Sequence, residues 1–288
     1  MRLGTIMLVV AIGRVADAAG ADALQGLGDT RYDEIASTAA GRSYDIVIGL
    51  PAGYDESGDT RYPTVYLLDG GELYPMLSAY RRYLRFGEEI PDLILVAISY
   101  GTDDWRNGND RGHDFTAPSA EREHWGGAPD FQRFLGDELI PKIETEYRSR
   151  GDRRIVFGQS LGGQFVLHAA LTEPGLFWGH IASNPALHRN LPFFLEFRGA
   201  APARGNGGDG GNDSDRPRLF VASGSDDDER FRTPALAWMS HWSAADTRPW
   251  ELATVTLDGH SHFSAPPAAF RQGLAWLFSG EPDSGHRR

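Results

Sequence analysis

Residues 153–171 read RRIVFGQSLGGQFVLHAAL and set one serine, Ser160, among three glycines. The β-branched and aromatic residues Ile155 to Phe157 predict a short buried strand. The largely apolar residues 164–171 predict a helix. The chain must therefore turn sharply between residues 158 and 162, where glycine tolerates the crowding and the unusual dihedral angles. This pattern is the G-x-S-x-G nucleophile elbow, provided that a strand precedes the serine and a helix follows it.

The composition indicates one acidic domain of moderate size. The chain has 288 residues, with 28 basic and 40 acidic side chains, a net charge of −12 and no cysteine. This length favours one large domain over two small ones. The chain lacks the basic balance that nucleic-acid binding requires, so we expect no nucleic-acid partner. Without cysteine it has no disulfide, no thiolate nucleophile and no cysteine-ligated metal.

Residues 31–280 form the predicted domain, and three segments are predicted to lie outside its packed core. Residues 1–23 contain an apolar stretch and two A-x-A-like sites, which predicts a cleaved signal peptide or a disordered start. A signal peptide would make the protein periplasmic or secreted, and its absence would make the protein cytoplasmic. Residues 199–217 predict a low-complexity loop, and residues 281–288 predict a loose tail. No apolar segment is long enough to span a bilayer, so we expect no membrane insertion.

Strands alternate with helices along the predicted domain. Residues 31–38 and 43–49 predict a β-hairpin. Later strands are predicted at 62–68, 93–98, 180–182, 218–223 and 251–257, and helices at 131–147, 234–245 and around Phe270. Pro141 is expected to kink the first of these helices or to mark its last turns. The alternation predicts an α/β fold: a mostly parallel central sheet with antiparallel N-terminal edge strands and helices on both faces.

A serine hydroxyl becomes a good nucleophile only when a base takes its proton. In this type of fold the partners follow in the order serine, acid, histidine, each just after a strand. Of the nine histidines, only His260 and His262 follow Ser160 at the end of a predicted strand. We favour His262 as the base and place His260 in the surrounding loop. His113 and His124 flank a loop that could contact the substrate.

The acid is expected in the short acidic run that follows the strand ending at Gly224. The candidates in this run are Asp226, Asp227, Asp228 and Glu229. We choose Asp227, the third residue after the glycine, and regard Glu229 as its main rival. A run of this kind is also typical of a solvated loop.

The developing oxyanion needs preorganised hydrogen-bond donors. One is predicted to be the backbone N–H of Leu161, directly after the nucleophile. The second is predicted to be Gly71, in the Asp69-Gly70-Gly71 loop after the strand at 62–68. The alternative is that these glycines only form a turn.

Several motifs together resemble the putative-esterase family of the α/β-hydrolases, in particular its enterochelin esterase-like and siderophore esterases. The motifs are Tyr66-Leu67-Leu68-Asp69-Gly70, Gly158-Gln159-Ser160-Leu161-Gly162-Gly163 and Gly259-x-x-His262-x-Ser264. The resemblance covers Tyr32 to Phe278 and implies the α/β-hydrolase fold and an enzyme without a cofactor. It also implies that Ser160 is the nucleophile, His262 the base, an acid near Asp227 its orienter, and Gly71 and Leu161 the oxyanion donors. Residues 183–186 depart from the serine-proline-serine turn that is common in the group.

The leading hypothesis is a serine carboxylic-ester hydrolase that acts through an acyl-enzyme on a small-molecule ester. Siderophore ester cleavage is the first substrate hypothesis, because of the resemblance. Carbohydrate-acyl (feruloyl or acetyl) esters come second and thioesters third. A binding protein that kept the fold and lost catalysis is the main alternative of another class. A metal-dependent hydrolase is disfavoured, because His260 and His262 have no obvious third ligand.

Overall fold

The structure is a computed structural model, and it describes residues 27–120, 122–196 and 216–279. The predicted signal segment (1–23) and the predicted tail (281–288) lie outside the described residues. The predicted low-complexity loop lies outside them up to residue 215.

The described residues contain one eight-stranded sheet of order β1-β2-β4-β3-β5-β6-β7-β8. β1 pairs antiparallel with β2, and β2 pairs antiparallel with β4, whereas the remaining pairs are parallel. This confirms the predicted α/β-hydrolase fold with an antiparallel N-terminal edge. The strands are β1 (Thr30–Ser37), β2 (Arg42–Gly49), β3 (Tyr62–Leu67), β4 (Ile94–Ser99), β5 (Ser149–Gln159), β6 (Gly179–Ser183), β7 (Arg218–Gly224) and β8 (Glu251–Leu257).

Helices cover both faces of the sheet. Their bounds are α1 (Gly70–Phe86), α2 (Arg111–Asp114), α3 (Ala128–Arg133), α4 (Ile140–Glu146), α5 (Leu161–Thr172), α6 (Leu191–Glu196), α7 (Glu229–Ser243) and α8 (Ala265–Leu277). A π-helical segment, Phe134–Leu139, joins α3 to α4. None of the helices in the described ranges has both the length and the apolar character that a membrane span requires.

The period-two alternation of the strands divides the core into two layers. In β5, Ile155 and Phe157 point to one face and pack with α1 and α8. Val156 points to the other face and packs with α5 and with Trp238 of α7. Because residues 155–159 of β5 are buried on both faces at the centre of the sheet, they provide a rigid support for the elbow that follows.

The helices differ from the sequence predictions, which did not include the short helices α2 and α6. α1 was not predicted, because it begins at two glycines and contains Pro75. α7 begins at Glu229 rather than at Pro234, because the Asp228 side chain caps it by accepting the N–H of Arg230 at 2.8 Å. The predicted helix at 131–147 is divided by the π-helical segment just before Pro141, which has no N–H and crowds the carbonyl four residues earlier.

Two histidines in the core predict a loss of stability in acid. His168 and His180 are 2% and 0% exposed, and burial lowers the pKa of each from 6.5 to about 4. The unfolded chain therefore binds more protons than the folded chain between pH 6.5 and pH 4. The free energy of unfolding is therefore highest above pH 6.5. Each histidine lowers it by up to about 3 kcal/mol as the pH falls from 6.5 to 4.

This acid sensitivity can be measured as the free energy of unfolding in urea between pH 7 and pH 4. The double substitution His168→Gln and His180→Gln is expected to flatten the pH dependence over this range. The matched substitution of the exposed His241 to Gln should leave the slope as it is in the wild type. An unchanged slope in the double variant would show that other groups cause the acid sensitivity.

Candidate active site

Ser160 lies at the sharp turn between β5 and α5, with φ 59° and ψ −115°. A non-glycine residue rarely adopts a positive φ, and such strain persists only where the surrounding structure imposes it. The Ser160 N–H donates to the carbonyl of Ser183 at 3.0 Å, and its own carbonyl accepts the N–H groups of Gln164 and Ala186. A Cβ at Gly158 would lie 2.2 Å from the carbonyl oxygen of Gly162. The strand before and the helix after are both present, so the sequence forms the elbow that it predicted.

His262 and Asp227 form a buried pair near the carboxyl ends of β7 and β8. The Nδ1 atom of His262 lies 2.9 Å from Oδ2 of Asp227. The two residues are 7% and 5% exposed. When Nδ1 carries the proton and donates it to the carboxylate, Nε2 is free to accept a proton from a nucleophile. The arrangement is that of a general base and the acid that orients it.

The rival acidic residues of the run make other contacts. Asp226, Asp228 and Glu229 are all exposed to solvent. Asp228 caps α7, and Asp226 accepts a hydrogen bond from Ser225. The structure therefore brings Asp227, and none of its three neighbours in the run, into hydrogen-bonding contact with the His262 ring.

Backbone hydrogen bonds join the loop that carries Asp227 to the loop that carries His262. The N–H of Ser225 donates to the carbonyl of Leu257 at 2.9 Å, and the N–H of Asp226 donates to the carbonyl of His260 at 3.0 Å. The N–H of Gly259 donates to Ser225 Oγ at 2.8 Å. Because the two loops are bonded along their length, the acid and the base are held together as one unit.

Leu161 and Gly71, the predicted oxyanion donors, both lie in the first turn of a helix. Leu161 is the first residue of α5 and Gly71 the second of α1. N–H groups in a first turn have no acceptor within their own helix, and the helix dipole favours negative charge there. Both positions therefore carry the type of donor that an oxyanion requires.

The loop that leads into α1 lies against the elbow. A Cβ at Gly162 would lie 3.4 Å from Oδ2 of Asp69. Asp69 has a left-handed backbone, with φ 54°, and Arg111 holds its carboxylate in a bidentate pair at 2.6 and 2.8 Å. This charge-assisted pair fixes the turn that presents Gly71. Arg111 was not among the residues that the sequence predicted for the site.

Aromatic rings surround the imidazole of His262. Phe231 stacks on it with 4.4 Å between ring centroids, and Phe263 meets its edge at 5.4 Å while remaining 89% exposed. His188 packs edge-on against Phe231 at 5.0 Å. Burial lowers the pKa of His188, and the nearby charges of Arg230, Arg122 and His262 lower it further. The sequence did not indicate Phe231, Phe263 or His188, because no motif relates these residues to Ser160, Asp227 or His262.

The other histidines named in the sequence analysis have local contacts. Nδ1 of His260 lies 3.0 Å from the carbonyl oxygen of Ser264 within its own loop. His113 and His124 lie together, with 5.8 Å between ring centroids, and His113 Nδ1 is 3.0 Å from Asp114. Within residues 27–120, 122–196 and 216–279, no group of three or more histidine and carboxylate side chains is arranged to hold a metal ion.

Comparison with known proteins gives a consistent result. Residues 37–265 match the family described as "Putative esterase". The ferri-bacillibactin esterase BesA of Bacillus subtilis is 35% identical over 181 residues, which are 58% of this chain and 62% of the relative. The siderophore enterobactin esterase of Emericella nidulans is 30% identical over 167 residues, which are 51% of this chain and 54% of the relative. The aligned region thus spans less than two thirds of the length of either relative.

Among solved structures, the crystal structure of the BES protein from Bacillus cereus superposes with a TM-score of 0.71. The superposition covers 96% of this chain and 98% of that protein, at 21% sequence identity. At this level of identity, the likeness shows a common fold.

Proposed function

The chain belongs to the putative esterase family, and we propose that it is a serine esterase that hydrolyses siderophore esters through an acyl-enzyme. One observation carries the catalytic part of this proposal. It is the buried hydrogen bond between His262 Nδ1 and Asp227 Oδ2. The loop that carries His262 is bonded in turn to Gln159, the residue before Ser160. A base, its orienting acid and a strained serine on one edge of the sheet are the parts that acyl transfer needs.

The proposed reaction has two halves. In the first, Ser160 Oγ attacks the ester carbonyl carbon while His262 Nε2 takes the hydroxyl proton, and the N–H groups of Leu161 and Gly71 bind the oxyanion. The C–O bond to the alcohol then breaks, and the imidazolium returns the proton to the departing alkoxide. In the second half, water attacks the acyl-enzyme, His262 takes the proton of the water, and Ser160 recovers it as the acid product leaves. Asp227 stays ionised and holds the imidazole throughout.

Two observations support siderophore esters as the substrate class. The two relatives described above are named as a ferri-bacillibactin esterase and a siderophore enterobactin esterase. Guanidinium groups also lie near the site although the chain has a net charge of −12: Arg122 and Arg230 both act electrostatically on His188, which packs against Phe231 beside His262. Positive groups at the mouth of a site favour an anionic substrate through long-range attraction.

A substrate panel tests the proposal. We expect kcat/KM for an iron-loaded catecholate triester to exceed that for a feruloylated sugar or an acyl thioester at equal ionic strength. The Ser160→Ala variant serves as the blank for uncatalysed hydrolysis. A preference for the feruloylated sugar or the thioester would show that the proposed substrate class is wrong, while the serine mechanism would still stand. If the protein neither hydrolyses these substrates nor reacts with a fluorophosphonate, it is a binding protein that kept this fold without catalysis.

Phe263 is expected to contribute to the binding of aromatic esters. Its exposed ring stands beside the imidazole of His262, and an aromatic contact contributes about 0.5–1.5 kcal/mol. Phe263→Ala should therefore raise KM for an aryl acyl ester about fivefold, with KM for p-nitrophenyl acetate little changed. The matched variant is Phe86→Ala, which removes a ring that is 72% exposed on α1. Equal effects of the two variants on KM would contradict a specific contact at Phe263.

A further inference from the structure

The backbone carbonyl of His262 accepts hydrogen bonds from two side-chain amides. Gln159 Nε2 donates at 2.7 Å and Asn184 Nδ2 at 3.3 Å. We propose that Gln159 and Asn184, here called the amide clamp, are positioning residues that set the imidazole at the correct height over Ser160. The inference rests on the serine-esterase part of the proposed function and does not depend on the substrate class.

Gln159 connects the base loop directly to the elbow. It is the last residue of β5, adjoins Ser160 in the chain and is 9% exposed. Its backbone is paired with Ser183 of β6, so its side chain starts from a rigid position. Any movement of the His262 carbonyl away from the elbow must break its 2.7 Å hydrogen bond with Gln159.

Asn184 ties the same carbonyl to the end of the strand that leads to the acid. Its side-chain Oδ1 accepts the N–H of Gly224, the last residue of β7, at 2.8 Å. The backbone N–H of Asn184 donates to the carbonyl of Ala222 at 2.8 Å. Its Nδ2 also lies 3.4 Å from the carbonyl oxygen of Ser261. One buried side chain thus links β6, β7 and the base loop.

The backbone of Asn184 supports a role for its side chain. The residue has φ 41° and is 1% exposed. Left-handed backbone at a non-glycine residue is costly, and asparagine tolerates it better than most residues. Glycine would relieve this strain, but it would remove all the side-chain contacts. The Ser183-Asn184-Pro185-Ala186 segment, which departs from the turn that is common in the family, therefore contributes to the geometry of the base.

The clamp has a function that the acid cannot supply. Asp227 fixes the His262 ring, but the acid loop and the base loop are bonded to each other and can shift together. Gln159 and Asn184 attach this unit to β5 and β6, the strands beside the elbow. Primary amides do not titrate in the working range of a histidine base, so the restraint is independent of pH.

The test compares Gln159→Leu and Asn184→Gly with the wild type in the hydrolysis of p-nitrophenyl acetate. A displacement of about 1 Å between reacting groups costs about 100-fold, so we expect each variant to lose about 100-fold in kcat with KM within about twofold. The rate of labelling by a fluorophosphonate should fall in parallel. The far-downfield proton resonance of the His262–Asp227 hydrogen bond should persist, because the acid is not altered.

The control is Gln132→Leu, which removes a buried amide that is 8% exposed and bonds Glu173 and Thr172 away from the triad. We expect its kcat to match that of the wild type at a similar cost in thermal stability. Gln159→Met, which keeps the length of the side chain without its donor, replaces Gln159→Leu if that variant does not fold.

Asn184→Gly with the kcat of the wild type would overturn the proposal, because it would show that only the backbone conformation matters. A rise in KM at constant kcat, or an equal loss of kcat in Gln132→Leu, would overturn it as well. p-Nitrophenyl acetate is not a siderophore, so the result stands apart from the substrate panel.

Discussion

Replacement of Ser160 with alanine is expected to lower kcat for p-nitrophenyl acetate by about 10⁶-fold, to the level that the oxyanion donors alone support. The reason is that covalent catalysis needs an alcohol at the point where the strained elbow presents it, with φ 59° and ψ −115°. Alanine occupies nearly the same space, so the fold should remain intact. The measurement is steady-state hydrolysis together with labelling by a fluorophosphonate, which requires an activated hydroxyl.

The matched control is Ser57→Ala. Ser57 is an exposed serine in the loop between β2 and β3, and its hydroxyl donates to Asp55. We expect the kcat and the labelling of this variant to match those of the wild type. Undiminished hydrolysis in Ser160→Ala would end the serine mechanism. Covalent labelling of Ser160→Ala would place the reactive group elsewhere in the chain.

Asp227→Asn should lower kcat by about 10⁴-fold. The carboxylate is buried and accepts from His262 Nδ1 at 2.9 Å, so in the proposed mechanism it favours the tautomer in which Nε2 is free to receive the serine proton. A neutral amide at this position can donate to Nδ1 and favour the opposite tautomer, and it no longer stabilises the imidazolium. Because asparagine and aspartate have the same shape, the change tests charge and tautomer rather than packing. The measurement is kcat for p-nitrophenyl acetate in variants with the melting temperature of the wild type.

The neighbouring acids provide the comparison. Asp226→Asn and Glu229→Gln remove exposed carboxylates from the same run and should change kcat by no more than about twofold, as exposed charges usually do. If Glu229→Gln shows the larger loss, the rival acid of the sequence analysis is the functional one. If all three variants keep the activity of the wild type, Ser160 and His262 act as a dyad.

Much of the fold could be predicted because the signals are local and strong. The strand at 251–257 was predicted with the bounds that β8 has in the structure, since a run of β-branched residues is followed by the turn-forming pair Asp258-Gly259. The apolar run at 93–98 predicted a buried strand, and β4 pairs on both sides, with β2 and β3. α1 was not predicted, because Pro75 and the polar residues in the second half of this helix weaken its helical pattern. Tertiary packing stabilises the helix in the folded chain.

Parts of the site could be predicted for a topological reason. In a parallel sheet, loops that follow strands gather at one edge, and the order serine, acid, histidine indicated which loops to compare. Choosing Asp227 within its acidic run relied on the usual position of the acid in this architecture. The contacts of Gln159, Asn184 and Phe231 could not be predicted in this way, since each depends on how side chains from separate strands pack together.

For this protein, local sequence preferences were enough to specify a β-strand, a tight turn and a helix around Ser160. These features depend on backbone preferences and hydrophobic period, which act over a few residues. The hydrogen bond between Asp227 and His262, and those from Gln159 and Asn184 to the His262 carbonyl, arose only when the chain was folded. Both depend on distances of about 3 Å between groups many residues apart in the chain, which local preferences do not control.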